Sequence, residues 1–223
     1  MCKTPWGYPP MTTTRTRILR AAERELGRDP DRALAAIAEA AGVARRTLYG
    51  HFAGREALIE GLVGEAAEAV RDALAGPGAP DAGPPRDDPA TALARFVLAL
   101  WPVGDRYGTL IALARRDLGP DRTSERVGHL LAPARDTLAA IVARGRQEGA
   151  FQTGVPAGAL GAAVEAHLLA LLDCVRRGTW SDDGTDAATA ALITAGVPAS
   201  TARETARRAR DTQAATGPAG PPA

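Results

Sequence analysis

The stretch AIAEAAGVARRTLYGHFAGR, residues 36–55, decides how the rest of this chain is read. Its apolar positions Ile37, Ala41, Val43, Leu48 and Phe52 face inward, while Arg45, Arg46, Thr47, Tyr49 and His51 are left outward. That pattern predicts two short helices sharing a core. Between them Ala41 meets Gly42, and glycine accepts the backbone angles that a sharp turn between helices demands. The second helix then opens on adjacent arginines, Arg45 and Arg46. The recognition helix of a helix-turn-helix places its base-contacting side chains in that first turn.

Working outward, Ile18, Ala22 and Leu26 recur at spacing four and predict a helix from about Thr14 to Leu26, stopped by Gly27. Asp29-Pro30-Asp31 reads as a turn that also caps the next helix. Helices over about 33–40 and 44–51 follow, then a longer one over 54–75 with Leu58, Leu62, Ala66 and Val70 as its buried stripe. Residues 76–87 are too rich in proline and glycine to continue it. Asp88-Pro89 is a cap followed by proline at the first helical position. That helix is expected to reach Trp101 and to break at Pro102-Val103-Gly104, with another over 105–118. Residues 121–148 form one long helix with a kink or break near Ala132, before Pro133, and Gly149 ends it. Pro156 opens an apolar helix to about Arg177, Asp182 or Asp183 caps the next to about Ala195, and Pro198 starts the last, to about Thr212. The fold class is therefore all-α. Disordered tails are expected at 1–13 and 214–223.

Composition agrees with close-packed helices. Of 223 residues 45% are apolar but only 4% aromatic, with alanine supplying much of the apolar count. The longest uninterrupted apolar runs look too short to cross a bilayer, and residues 1–13 hold one lysine and no apolar core of a secretory signal. Cys2 and Cys174 suggest neither a disulfide framework nor a zinc site, so the chain reads as cytoplasmic. The net charge of +1 is uneven. Residues 14–56 hold nine arginines against six acids, a net +3, whereas residues 57–200 hold thirteen against eighteen, a net −5. An anion-binding head on an acidic body is implied, and so small an excess would need a second copy to hold DNA firmly.

The order IAEAAGV, ARRTLYGHF and then GR-EALIE, spanning about Thr14 to Val63, closely resembles the N-terminal domain of the TetR family of bacterial transcriptional regulators. The resemblance implies a three-helix DNA-binding head, 14–56, on a helical ligand-binding and dimerisation body, 57–213. It also implies a repressor released from a near-palindromic operator by a small molecule. Carried over by position, Arg45, Arg46 and Thr47 would face bases, with Tyr49, His51 and Arg55 on phosphates or the groove wall. Position 44 departs from the family: it is alanine where a hydroxyl cap is usual, a loss of about 1 kcal/mol.

Nearly all the body's large aromatic and imidazole side chains, Phe96, Trp101, Tyr107, His129, His167 and Trp180, fall on helices that usually surround the ligand cavity in this family, with Arg106, Glu165 and Asp173 as polar partners. Taken singly, each is more often ordinary core; it is the set together that marks a pocket. The helices near 157–177 and 183–195 are the expected homodimer interface, because the first is nearly all small or apolar. No cofactor or metal site is expected. Nor is an enzyme: the chain has no Gly-x-Ser-x-Gly, no phosphate-cradling glycine loop, no HExxH and no clustered CxxC. Three alternatives stay open at this stage. The chain could bind DNA without a ligand, or activate. It could be a helical small-molecule-binding or enzymatic dimer whose head no longer reads DNA. It could be a protein-interaction module.

Overall fold

Thr13 starts the first helix by accepting a hydrogen bond from the Thr16 amide (3.2 Å) on its hydroxyl, which satisfies one of the free amides of the opening turn. In the computed structural model, which describes residues 13–75, 87–117 and 120–216, this helix, α1, is Thr14–Arg28. It passes through Gly27 rather than stopping there, so glycine without a left-handed backbone angle does not end a helix. There follow α2 (Leu34–Ala40), α3 (Arg45–His51), α4 (Arg55–Ala75), α5 (Pro89–Asp117), α6 (Pro120–Gln147), α7 (Ala157–Arg176), α8 (Thr185–Thr194) and α9 (Ala199–Thr216). Among the described residues there is no strand, and the fold is all-α. Residues 1–12, 76–86 and 217–223, where most of the tails and the proline-rich loop were expected, lie outside the described residues.

Local chemistry explains most of the boundaries. Asp88 accepts from the amides of Ala90 (3.0 Å) and Thr91 (3.1 Å), so α5 begins on Pro89 as the cap-then-proline order requires. Asp182 accepts from the amides of Asp186 (3.1 Å) and Ala187 (2.9 Å), and Asp183 from that of Thr185 (3.0 Å), so both aspartates serve the start of α8. By contrast, α2 has no side-chain cap: Asp29 accepts from the Asp31 amide (3.0 Å) and closes its own turn instead.

The expected break at Pro102 is absent. α5 runs unbroken for 29 residues, and α6 is likewise one helix through Pro133. A proline inside a helix costs about 3 kcal/mol through a lost hydrogen bond and a clash with the preceding turn. Burial on both sides of Pro102 offsets that cost: Leu98 and Trp101 before it, Tyr107 and Leu110 after it, are all core residues. Gly104 adds close packing, since a Cβ there would lie 2.5 Å from Leu172 of α7. α5 is the central post of the body and packs against α4, α6, α7, α8 and α9 as well as α1.

α7 differs from its neighbours. By length and mean hydropathy (1.5) it is apolar enough to cross a membrane, contrary to the expectation from uninterrupted runs. Within this fold it packs against α5, α6 and α8 on one side. Its other side, including Ala162, Ala163, Ala166, Leu169 and Ala170, is exposed, and Ile193 of α8 is 45% exposed.

Candidate DNA-binding head and body cavity

The head is built on a small apolar knot. Ile18, Leu19 and Ala22 of α1, Ile37 of α2, Leu48 of α3, Phe52 just after α3, and Leu58 of α4 are almost wholly buried together. Between α2 and α3, Gly42 takes a left-handed angle (φ +63°), its amide bonds to Glu39 O and the Val43 amide to Ala38 O, both at 2.9 Å. That paired pattern is the Schellman closure of a helix end, which favours glycine. Arg17 then donates to the carbonyls of Ala41 (2.8 Å) and Gly42 (3.1 Å), fixing the turn to α1.

With the turn fixed, Leu48 points in and Arg45, Arg46, Thr47, Tyr49 and His51 point to solvent, Tyr49 at 53% exposure. Ala44 caps α3 without a side-chain hydrogen bond, leaving amides of the first turn free beside Arg45 and Arg46. Neither arginine has an ion pair or hydrogen bond among the described residues. The surface therefore presents two uncommitted guanidiniums and a phenol on one short helix.

The Arg55 Nε pairs with Asp117 Oδ2 (2.6 Å), Nη1 donates to Arg32 O (3.0 Å) and Nη2 to Pro30 O. It ties the loop before α2 to the far end of α5. A second tie lies at the other side of the junction, where Arg106 of α5 makes a forked pair with Glu23 of α1 (2.5 and 2.8 Å). The Arg106 guanidinium lies over the Tyr107 ring, 4.9 Å from its centroid. The hydrogen bond to Glu23 holds the Arg106 pKa well above its ordinary value.

Glu65 of α4 sits in the same junction. Burial, then the charge of Glu23, pushes its carboxyl above the ordinary 4.5, despite opposing arginines 15, 106 and 20. A raised carboxyl pKa means the fold disfavours the ionised form, so Glu65 detracts from stability above its folded pKa and ceases to do so near 4.5. Glu65→Gln is therefore expected to melt higher than the parent at pH 7, with the gain vanishing as pH falls toward 4.5. An equal or lower melting temperature at pH 7 would contradict this placement.

The body holds a cavity of about 570 Å³ between α4, α5, α6 and α7. Of the residues expected there, Phe96, Tyr107, Glu165 and Asp173 line it. Five do not. Trp101 donates to Asp182 O (3.1 Å) and meets Trp180 edge-on with ring centroids 6.0 Å apart, so both tryptophans brace the α7–α8 corner. His167 bonds Thr194 Oγ1 (3.0 Å) and joins α7 to α8, His129 is exposed, and Arg106 belongs to the junction. Most of the wall is aliphatic, including Leu100, Leu130, Leu138, Leu168 and Leu172, and it also carries Arg135 and Arg176. Sequence reasoning missed these because leucines at helical spacing read as core. Among the described residues, no group of three or more His, Cys, Asp or Glu side chains is arranged to hold a metal ion.

Taken together, these features define a helix-turn-helix head on an all-helical body with a partly open cavity. Residues 18–62 match the family described as bacterial regulatory proteins, tetR family. The chain thus carries a TetR-family head on a TetR-like fold. No curated protein matches the sequence. Among solved structures it is similar to RolR in complex with resorcinol, at 24% identity over 87% of this chain and 93% of that one (TM-score 0.57). It is also similar to FadR from Bacillus subtilis with stearoyl-CoA, at 16% identity over 80% and 96% (TM-score 0.60). A third is LfrR from Mycobacterium smegmatis with proflavine, at 20% identity over 94% and 99% (TM-score 0.52). At such identities the likeness establishes the fold alone.

Proposed function

We propose that this chain is a cytoplasmic, ligand-responsive transcriptional regulator that binds a near-palindromic operator as a homodimer and acts as a repressor. The observation that carries this reading is the pair Arg45 and Arg46, exposed and uncommitted in the first turn of a helix whose other face is locked into the head. Arg45, Arg46 and Thr47 read base edges, while Tyr49 and His51 serve phosphates or the groove wall. The exposed apolar face of α7 with Ile193 of α8 supports a two-fold helical interface, which supplies the second head. The body cavity, and the small molecules carried by the three structural neighbours, support a ligand role.

Regulation works as a population shift: a ligand in the cavity favours the conformer whose heads are wrongly spaced for DNA, and DNA weakens ligand binding by the same factor. Two helices carry the coupling. α4 begins in the head and reaches the cavity through Val63, Ala66 and Val70. α5 lines the cavity with Tyr107 and grips α1 through the adjacent Arg106. Arg106→Ala is expected to leave the head loosely held, so that DNA binding must order it, weakening operator affinity by roughly fivefold. Glu23→Ala should do the same and the double variant no more than either, measured by fluorescence anisotropy. Additive losses would place the two residues outside one linkage.

Selection of binding sites from a random duplex pool tests the reading as a whole. The expected yield is an inverted repeat with half-sites about one helical turn, or a multiple, apart. A pool that never departs from random sequence would overturn it.

A further inference from the structure

Resting on the reading of the cavity as the ligand site, we infer that its occupant is an uncharged, largely apolar molecule of drug-like size. A volume of about 570 Å³ falls within the range of small-molecule sites. Charge decides the class. Among the described residues the wall carries two cations and two anions, Arg135, Arg176, Glu165 and Asp173, and each is already answered by another. Arg135 forks onto Glu165 through Nε (2.9 Å) and Nη2 (2.6 Å), bridging α6 to α7. Arg176 pairs with Asp173 and donates to Gly108 O (2.9 Å), bridging α7 to α5. Arg177, outside the wall, shares Asp173 (2.5 Å).

Both bridges are partly exposed to water, so the cost to a charged ligand lies mainly in entering the aliphatic wall unpaired. An uncharged ligand leaves both bridges standing and meets Val63, Phe96, Leu100 and the leucines of α6 and α7. Tyr107 is the sole neutral side chain in the described wall with a hydrogen-bonding group.

Displacement of Nile red from the full-length protein, without DNA, tests this with three competitors of one chain length: decan-1-ol, decanoate and decylammonium. Decanol is expected to displace the dye at concentrations at least about tenfold below either ion, the scale of one lost charge pairing. Glu165→Gln, which frees Arg135, should raise decanoate to compete at the level of decanol. Ala134→Trp on α6 and Leu168→Trp on α7, which fill the cavity, should each abolish dye binding while the helical spectrum is kept. The inference is overturned if an ion outcompetes decanol, if Glu165→Gln leaves decanoate as weak as before, or if dye binding survives both filling variants. Absence of dye binding to the parent protein overturns it too. Decanol preference without any effect on DNA binding would sustain the ligand class and sink the regulator reading instead.

Discussion

Replacing Arg45 and Arg46 together by alanine is expected to reduce specific DNA binding to the non-specific level while barely moving thermal stability. Each arginine that forks onto a guanine contributes about 1–3 kcal/mol of discrimination, and a dimer carries the pair twice. Neither side chain supports the fold, since both lie exposed on α3 with no partner among the described residues. Surface changes of that kind usually stay within about 0.5 kcal/mol. Anisotropy titrations and thermal melts on the same preparations separate the two effects. Leu48→Ala is the contrasting control. At 1% exposure it sits under the same helix, and its truncation should cost about 2–5 kcal/mol of stability before any question of DNA contact arises. Specific binding that survives the double arginine substitution would move the recognition surface away from α3.

Ala166→Arg should dissociate the dimer and with it most of the operator affinity. Ala166 lies on the exposed side of α7 between Ala162 and Ala170, where small side chains let a second helix approach closely. An arginine there would add bulk and charge to the surface that the proposed dimer desolvates. In a lone subunit the same change faces water and costs little. Sedimentation should therefore report a species near the chain mass of 23.1 kDa with an intact helical spectrum. The slope of log affinity against log salt should fall to about half, because a monomer neutralises half as many phosphates. An unchanged dimer mass would place the interface elsewhere.

The head was legible in the sequence because its determinants are local. Gly42, the apolar spacing of Ile37, Leu48 and Phe52, and the outward arginines all lie within twenty residues, and each acts on its immediate neighbours. The Arg55 tie was hidden for the opposite reason: its partner Asp117 is 62 positions away, and nothing near either residue signals the pairing. The same holds for Arg106 and Glu23, 83 positions apart. Pro102 shows a local rule overridden by packing, since a strong breaker sits inside a helix buried on both flanks. The cavity wall was obscured by chemistry rather than distance. Rare aromatic side chains drew the expectation, yet Trp101 and Trp180 brace a corner, while ordinary leucines of α5, α6 and α7 enclose the space. A leucine facing a void and one facing another leucine have the same helical spacing.

The most direct test of a sequence-reading head is fluorescence anisotropy of the purified protein on DNA from immediately upstream of its own gene, beside a scrambled duplex, at two salt concentrations. Binding to the upstream duplex at least a thousandfold tighter than to the scrambled one, on the order expected of specific recognition, and weakening as salt rises, is the predicted result. Equal, weak binding to both duplexes, repeated on duplexes tiled across the neighbouring genes, would contradict a sequence-reading head.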